Sequence, residues 1–240
     1  MSEAVEVLRQ FKGFSYFTEM SDIINRLEDH VASARMKTTP VIDFEKNESL
    51  KGLDYLDTIY HAIVNEHPIQ LKYRSFKARW VNSFIFYPYL LKEYRNRWFV
   101  YGVRGNGRIL QNLALDRIQS LEVLPQEHYI KNTFFDPNTF FDDLVGVTKN
   151  SGSVAEKIGF KVAAAEAPYI ITKPIHRSQQ VVERLADGSV ILEIEVVINH
   201  ELERVFFRYA EGIQVLYPKT LVELMGRKLK KAAEQYTHSK

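Results

Sequence analysis

Between Lys72 and Arg108 the sequence gathers nine basic residues (Lys72, Arg74, Lys77, Arg79, Lys92, Arg95, Arg97, Arg104 and Arg108) against one acid, Glu93. The chain as a whole carries a net charge of only +2, so the remainder is acidic on balance. Aromatic residues are interleaved with these bases: Tyr73, Phe76, Trp80, Phe84, Phe86, Tyr87, Tyr89, Tyr94, Trp98, Phe99 and Tyr101. Lys and Arg neutralise phosphates and release counterions, while an aromatic face stacks an unpaired base. That is the chemistry of binding rather than of turnover. A small β-barrel with an aromatic core and a basic surface would show much of the same composition. Within the stretch, Tyr73, Lys92, Tyr94 and Arg97 fall on or beside strands where a basic-aromatic face could form. Arg117, behind Asp116 and between Leu115 and Ile118, has two readings: a local ion-pair partner or a ligand arginine. Trp98, a bulky aromatic in mid-strand, reads as core rather than site.

Other chemistries find no support in the spacing. Histidines 30, 61, 67, 128, 176, 200 and 238 are scattered, and His61 and His67 miss the i, i+4 spacing that would put two metal ligands on one helical face. Gly102, Gly105 and Gly107 are followed by neither a helix nor the lysine of a phosphate loop, and a hairpin turn accounts for them. Ser151-Gly152-Ser153 lacks the strand-to-helix context of a nucleophile elbow. Asp142-Asp143 reads as a solvated acidic surface. No enzyme activity, metal or cofactor is expected.

The binding residues must be positioned by strands. Phe84 to Leu91, Trp98 to Val103 and Ile109 to Leu115 are apolar-rich segments separated by a charged step and by Gly105-Asn106-Gly107, the pattern of a β-meander. Ile69, Leu71 and Tyr73 alternate with Lys72 and Arg74 as a strand before it, and Ile118 to Leu124 follows as a strand after it. A helix marked by Leu56, Ile59, Tyr60 and Ile63 precedes them and stops near Pro68. One helix and five short strands predict a small barrel, and the pattern does not separate an Sm-like from an SH3-like closure.

Upstream, Ala4, Val7, Leu8 and Phe11, then Met20, Ile23, Ile24, Leu27 and Val31, recur at helical spacing, so residues 1–52 read as a helical connector. The second segment is too acidic to be a DNA-reading helix. Residues 126–152 read as a connector after the barrel region of 53–125. Over 153–240 the order is a strand at Ile158 to Val162, a helix at Ala163 to Ile171, a hairpin of Val181 to Leu185 with Val190 to Ile198 turned by Asp187-Gly188, a helix capped by Asn199, a strand at Ile213 to Leu216 and a final helix from Pro218. That helix carries Leu221, Leu224, Met225, Leu229, Ala232 and Tyr236 on one face. The β-α-β-β-α-β order is that of a ferredoxin-like module, so the fold class is α+β.

Several of these motifs together resemble the WYL domain of bacterial transcriptional regulators. Trp98-Phe99-Val100 stands at the triplet that names the family, Pro88-Tyr89-Leu90-Leu91 at its preceding P-x-L-L strand, and Asp116-Arg117-Ile118 at its closing D-R-I. Tyr87, Gln111 and Ala114 depart from the residues usual there, a histidine and two arginines. Lys173-Pro174-Ile175-His176 with Ser178-Gln179, Asn199 to Glu203, and Val215-Leu216-Tyr217-Pro218 resemble the extension that follows the WYL domain. The likeness runs from about residue 50 to 236. It implies an Sm-like barrel that senses a ligand for a DNA-binding domain, with Tyr73, Lys92, Tyr94, Arg97 and Arg117 as the ligand face. The ligand would be a single-stranded or oligonucleotide nucleic acid, or a phosphorylated small molecule. It also implies a winged helix-turn-helix partner domain in a longer regulator, or loss of that reader, and homodimerisation. A free-standing single-strand binding module and a purely structural assembly domain are the other readings of the same residues.

The chain has no cysteine, hence no disulfide framework or thiolate metal site. No apolar run reaches the ~18 residues of a membrane span, and no secretion signal opens the sequence. A cytoplasmic protein without membrane contact is expected.

Overall fold

The computed structural model describes residues 52–105, 107 and 109–237. The helical connector expected over 1–52 lies, but for Gly52, outside them. The chain divides into two units, the first ending at Phe134 and the second beginning at Phe135. Both are mixed α and β with antiparallel sheets, the α+β class expected.

In the first unit a 3-10 turn, Leu53–Tyr55, leads into α1, Leu56–Val64. Leu56, Ile59 and Ala62 recur every three residues, and that stripe is buried. Five strands follow: β1 (Ile69–Tyr73), β2 (Asn82–Tyr94), β3 (Arg97–Arg104), β4 (Leu110–Ala114) and β5 (Ile118–Val123). They form one antiparallel sheet in the order β4-β3-β2-β1-β5. Ile69, Leu71 and Tyr73 of β1 are buried while Lys72 is exposed, as the alternation predicts. With Phe86, Val100, Leu113, Leu115 and Ile118 they pack against α1 as a single core.

Two local devices shape this sheet. The β2 register passes from Pro88 opposite Gly102 to Leu90 opposite Tyr101, so Tyr89 is an extra residue, a bulge. A proline in a long inner strand is tolerated at such a point because it has no N–H to give to the ladder. The charged step between β2 and β3 is a two-residue turn in which Arg95 and Asn96 both have positive φ, 51° and 58°. This is the geometry a tight hairpin needs to match the strand twist. The backbone N–H of Asn96 donates to Glu93 Oε1 at 2.6 Å and holds the turn closed. The strand after β4 pairs with β1, not with β4. No ladder joins β4 to β5 among the described residues, so the hydrogen-bonded sheet is open where a closed barrel was expected. The physical reason lies in the 3-10 turn Leu115–Arg117, which carries the chain off the β4 edge before β5 begins.

The second unit has β6 (Ala155–Val162), α2 (Ala167–Thr172), β7 (Gln180–Arg184), β8 (Val190–Val197), α3 (His200–Tyr209), β9 (Ile213–Tyr217) and α4 (Lys219–Thr237). The sheet order is β7-β8-β6-β9. Ile158, Phe160, Val162, Leu192, Ile194 and Val196 face Ile170, Leu202, Phe206, Leu221 and Met225 across the core. The helix expected from Ala163 starts four residues later, with a proline, Pro168, in its first turn, where the fixed φ and missing N–H cost nothing. Asn199 caps α3 as expected: its Oδ1 accepts the Leu202 N–H at 2.9 Å. Its Nδ2 donates to the Val145 and Thr148 carbonyls, both at 2.9 Å.

The stretch read as a connector is divided between the units. In the first, the Tyr89 hydroxyl donates to the Ile130 carbonyl at 2.9 Å and the Tyr129 hydroxyl to that of Pro88. In the second, Leu144, Val145 and Val147 are buried and Thr148 donates to Glu201 at 2.8 Å. Of the apolar face on α4, Leu221 and Met225 are buried, whereas every described residue from Gly226 onward is exposed. No described helix is long and apolar enough to cross a membrane.

Candidate functional site

Phe99 of β3 is opposite Ala114 of β4. Two residues before the one and two after the other, Arg97 and Asp116 come together at the end of this antiparallel pair, with Arg97 Nε 3.3 Å from Asp116 Oδ2. Arg117, next along the 3-10 turn, places its Nε 3.8 Å from Asp116 Oδ1. One carboxylate, its side chain only 13% exposed, therefore stands between two guanidinium groups. At 3.8 Å the second contact is an ion pair but not a hydrogen bond. Arg117 Nε and Asp116 Oδ1 are both buried with no hydrogen-bond partner among the described residues.

Tyr73, at the end of β1, is buried beside this pair. Burial pushes its hydroxyl above the ordinary phenol range, and the Arg117 charge, together with hydrogen bonding from the Ala114 backbone and the Arg117 side chain, pulls the other way. Above Arg117 lies the Phe76 ring, its centroid 4.5 Å from the guanidinium carbon, a cation–π contact. The loop bearing Phe76 is tied to the same turn, because the Arg74 N–H donates to the Arg117 carbonyl at 3.2 Å. A second contact of the kind puts Arg104 4.1 Å from the Phe84 ring centroid.

Of the five residues singled out in the sequence, Tyr73, Arg97 and Arg117 thus gather around Asp116. Lys92 and Tyr94 come from the neighbouring strand. They lie on β2 opposite Phe99 and Arg97 respectively, and residues opposed in a ladder share a face of the sheet, so both stand on the face that carries Arg97. Tyr94 has the Arg95 guanidinium 5.4 Å from its ring centroid. Both arginines near Asp116 were visible in the sequence, but the pairing of Arg97 with Asp116 was not, because it depends on the Phe99–Ala114 register. Phe76 as the cover on Arg117 was also missed, and its place in a loop without periodicity gave no signal.

The other candidates resolve into structure. Asp142 and Asp143 are each ion-paired, to Arg177 and to Lys149, both at 2.8 Å. His176 Nδ1 lies 2.8 Å from Ser178 Oγ, and that oxygen accepts the Glu195 N–H at 2.9 Å. Gln179 accepts the Ile175 N–H and donates to the Ile170 carbonyl. This network fastens the segment before β7 to β8 and α2. No group of three His, Asp or Glu among the described residues is arranged to hold a metal ion.

Comparison with known families assigns both units. Residues 54–123 match the WYL domain, and residues 155–233 match the WCX domain. The chain is a WYL-domain protein of the regulator type. Its WYL match runs from the 3-10 turn before α1 to the end of β5, with Trp98-Phe99-Val100 on β3, Pro88 to Leu91 across the β2 bulge, and Asp116-Arg117-Ile118 on the turn into β5. The WCX match runs from β6 into α4. No curated protein sequence matches the chain. Among solved structures it is similar to the proteasome accessory factor B/C (PafBC) of Arthrobacter aurescens, at 16% identity and a TM-score of 0.31, over 80% of this chain and 28% of that one. It is also similar to a CRISPR Cas-related protein, at 12% identity and a TM-score of 0.46, over 78% of this chain and 52% of that one. The chain therefore spans about half or less of the length of either structure.

Proposed function

We propose that this WYL–WCX chain is the ligand-sensing and dimerisation region of a bacterial transcriptional regulator, without enzymatic activity, and that its effector is a single-stranded or oligonucleotide nucleic acid or a phosphorylated small molecule. The observation that carries the reading is the Arg97–Asp116–Arg117 cluster. Two guanidinium groups share one shielded carboxylate, and an Nε and a carboxylate oxygen inside it lack hydrogen-bond partners among the described residues. Buried polar groups left in this state are costly, and a phosphate can satisfy an arginine in the carboxylate's place. Tyr73 borders the same turn, while Lys92 and Tyr94 extend the basic-aromatic surface along β2 beside Arg97.

An Sm-like description of the first unit is supported by its strand order, in which the fifth strand returns to the first, though without the closing ladder. A ferredoxin-like description of the second is supported by its β-α-β-β-α-β sequence and by the order β7-β8-β6-β9. Dimerisation is supported by the exposed Leu229 and Tyr236 on α4. The winged helix-turn-helix partner domain of a full regulator is part of the same proposal. So is a cytoplasmic location.

Fluorescence titration with labelled oligothymidylate and with cyclic nucleotides tests the reading. A nucleic-acid effector should bind with a log–log salt slope of about −0.7 per phosphate neutralised. Salt-independent binding, or turnover of a nucleotide, would overturn it.

A further inference from the structure

The loop between β1 and β2 runs from Arg74 to Val81 and belongs to no regular element. Phe76 is 74% exposed and Trp80 80% exposed, with Val81 beside them at 42%. Arg74, Lys77 and Arg79 alternate with them and are exposed. None of the three is in an ion pair with another described residue. No acid occurs between Glu66 and Glu93, so neither the loop nor β1 carries one, and Glu93 lies at the far end of β2. It is nevertheless built. The Ala78 N–H donates to the Ser75 carbonyl at 2.9 Å, the Arg74 N–H to that of Arg117 at 3.2 Å, and Phe76 rests on the Arg117 guanidinium. That contact occupies one face of Phe76, and no other described cation lies over the ring.

Two large aromatics bared within five positions are an unfavourable surface for a protein without a partner there. Bases arranged around them, with no acid in the loop itself, suit a ligand that is both planar and polyanionic. We infer that this loop is a base-stacking arm: Phe76 and Trp80 take unpaired bases of a single-stranded nucleic acid, and Arg74, Lys77 and Arg79 take its phosphates. The inference deepens the nucleic-acid form of the proposed function and rests on it. Phe76 joins the arm to the Asp116 cluster, so a strand seated on the arm is delivered to Arg117.

The test uses the whole chain and a labelled ten-nucleotide oligothymidylate, read by fluorescence anisotropy. Trp80→Ala and Phe76→Ala should each weaken binding by about five- to a hundredfold, with the salt slope unchanged, since a stacked base contributes without charge. Arg79→Ala should instead lower the slope by about 0.7. The same strand annealed to its complement offers phosphates but no free base faces. It should bind more weakly than the single strand to the native protein, and Trp80→Ala should leave duplex binding unchanged. All three positions are exposed loop residues, so the variants are expected to fold, and circular dichroism checks this. If the single strand binds the native protein but both aromatic variants match it within twofold, the arm is overturned while the nucleic-acid reading stands. If the native protein binds neither strand form, both fall together.

Discussion

Arg97 and Asp116 meet across the β3–β4 edge with Nε and Oδ2 3.3 Å apart, so the more exposed of the cluster's two arginines is already held by a carboxylate of its own chain. Arg97 is 46% exposed and Asp116 13%, so solvent screens the arginine more than the acid. An anionic ligand must compete with Asp116 for Arg97, and for Arg117 as well. Asp116→Asn keeps the shape and removes the competitor. It should tighten oligothymidylate binding by up to about fivefold at low salt, equivalent to ~1 kcal/mol, the upper range for a partly exposed pair. Weaker binding in that variant, measured by the same anisotropy titration, would mean that Asp116 orients the arginines rather than competing for them.

The Asp116 cluster and the β2 side chains beside it make separable contributions if both meet the ligand. Arg97→Ala and Lys92→Ala should each reduce the salt slope by about 0.7. Tyr94→Ala should weaken binding by roughly 1–3 kcal/mol through lost stacking and leave the slope intact. A ligand confined to the Asp116 cluster would respond to Arg97→Ala but not to Lys92→Ala or Tyr94→Ala, and titrations at several salt concentrations distinguish the two patterns.

Where side-chain period and turn chemistry agree, the fold was legible in the sequence. Ile69, Leu71 and Tyr73 alternate, Asp187-Gly188 turns a hairpin, and Asn199 caps a helix, and each of these signals is local. The Arg95-Asn96 turn was read only as a charged step, because arginine is no left-handed former and the two-residue spacing between strands had to be known first. Closure of a barrel was expected from strand count alone, but count does not say where the 3-10 turn at Leu115 sends the chain. Within the candidate site, residue types were readable and distances were not. Arg97 reaches Asp116 only through a cross-strand register, and Phe76 reaches Arg117 only through a loop conformation.

Gly102 is the point at which the site-bearing sheet has least room. A Cβ there would lie 2.1 Å from the Tyr87 carbonyl oxygen and 2.6 Å from the Phe86 ring. Backbone cannot rotate away from such a contact, and Phe86 is fully buried. Gly102→Ala should therefore destabilise the chain by about 3 kcal/mol or more, the upper end of the cost of overpacking. Gly105 is a contrast: no atom lies within 4 Å of its added Cβ, but its φ is +59°. Gly105→Ala should cost only ~1–2 kcal/mol, that of an alanine in the left-handed region. Urea denaturation midpoints should rank native, Gly105→Ala and Gly102→Ala in that order.

The WCX unit should lose stability below neutral pH through His176. Its Nδ1 accepts the Ser178 N–H at 3.2 Å and lies 2.8 Å from the Ser178 hydroxyl, so the ring is fixed with Nδ1 unprotonated. Burial pushes its pKa below the ordinary 6.5, and the neighbouring Arg177 cation adds to this, while hydrogen bonding to the Asp142 backbone and the charges of Asp143 and Asp142 oppose it. As pH falls through about 6.5 the unfolded chain takes up the proton before the folded one, so folding stability falls with pH. The loss begins near the ordinary histidine value, grows until the folded pKa is passed and then levels off. Asp187 and Glu193, whose pKa values are also lowered, titrate from ordinary values of 3.8 and 4.5, in a lower window. His176→Asn offers an amide oxygen to the Ser178 N–H and does not titrate. Melting temperatures measured from about pH 7.5 to about pH 5, the interval around the histidine value, should drop for the native chain and stay nearly level for the variant. Parallel pH profiles would place the sensitivity elsewhere and leave His176 as a neutral strut.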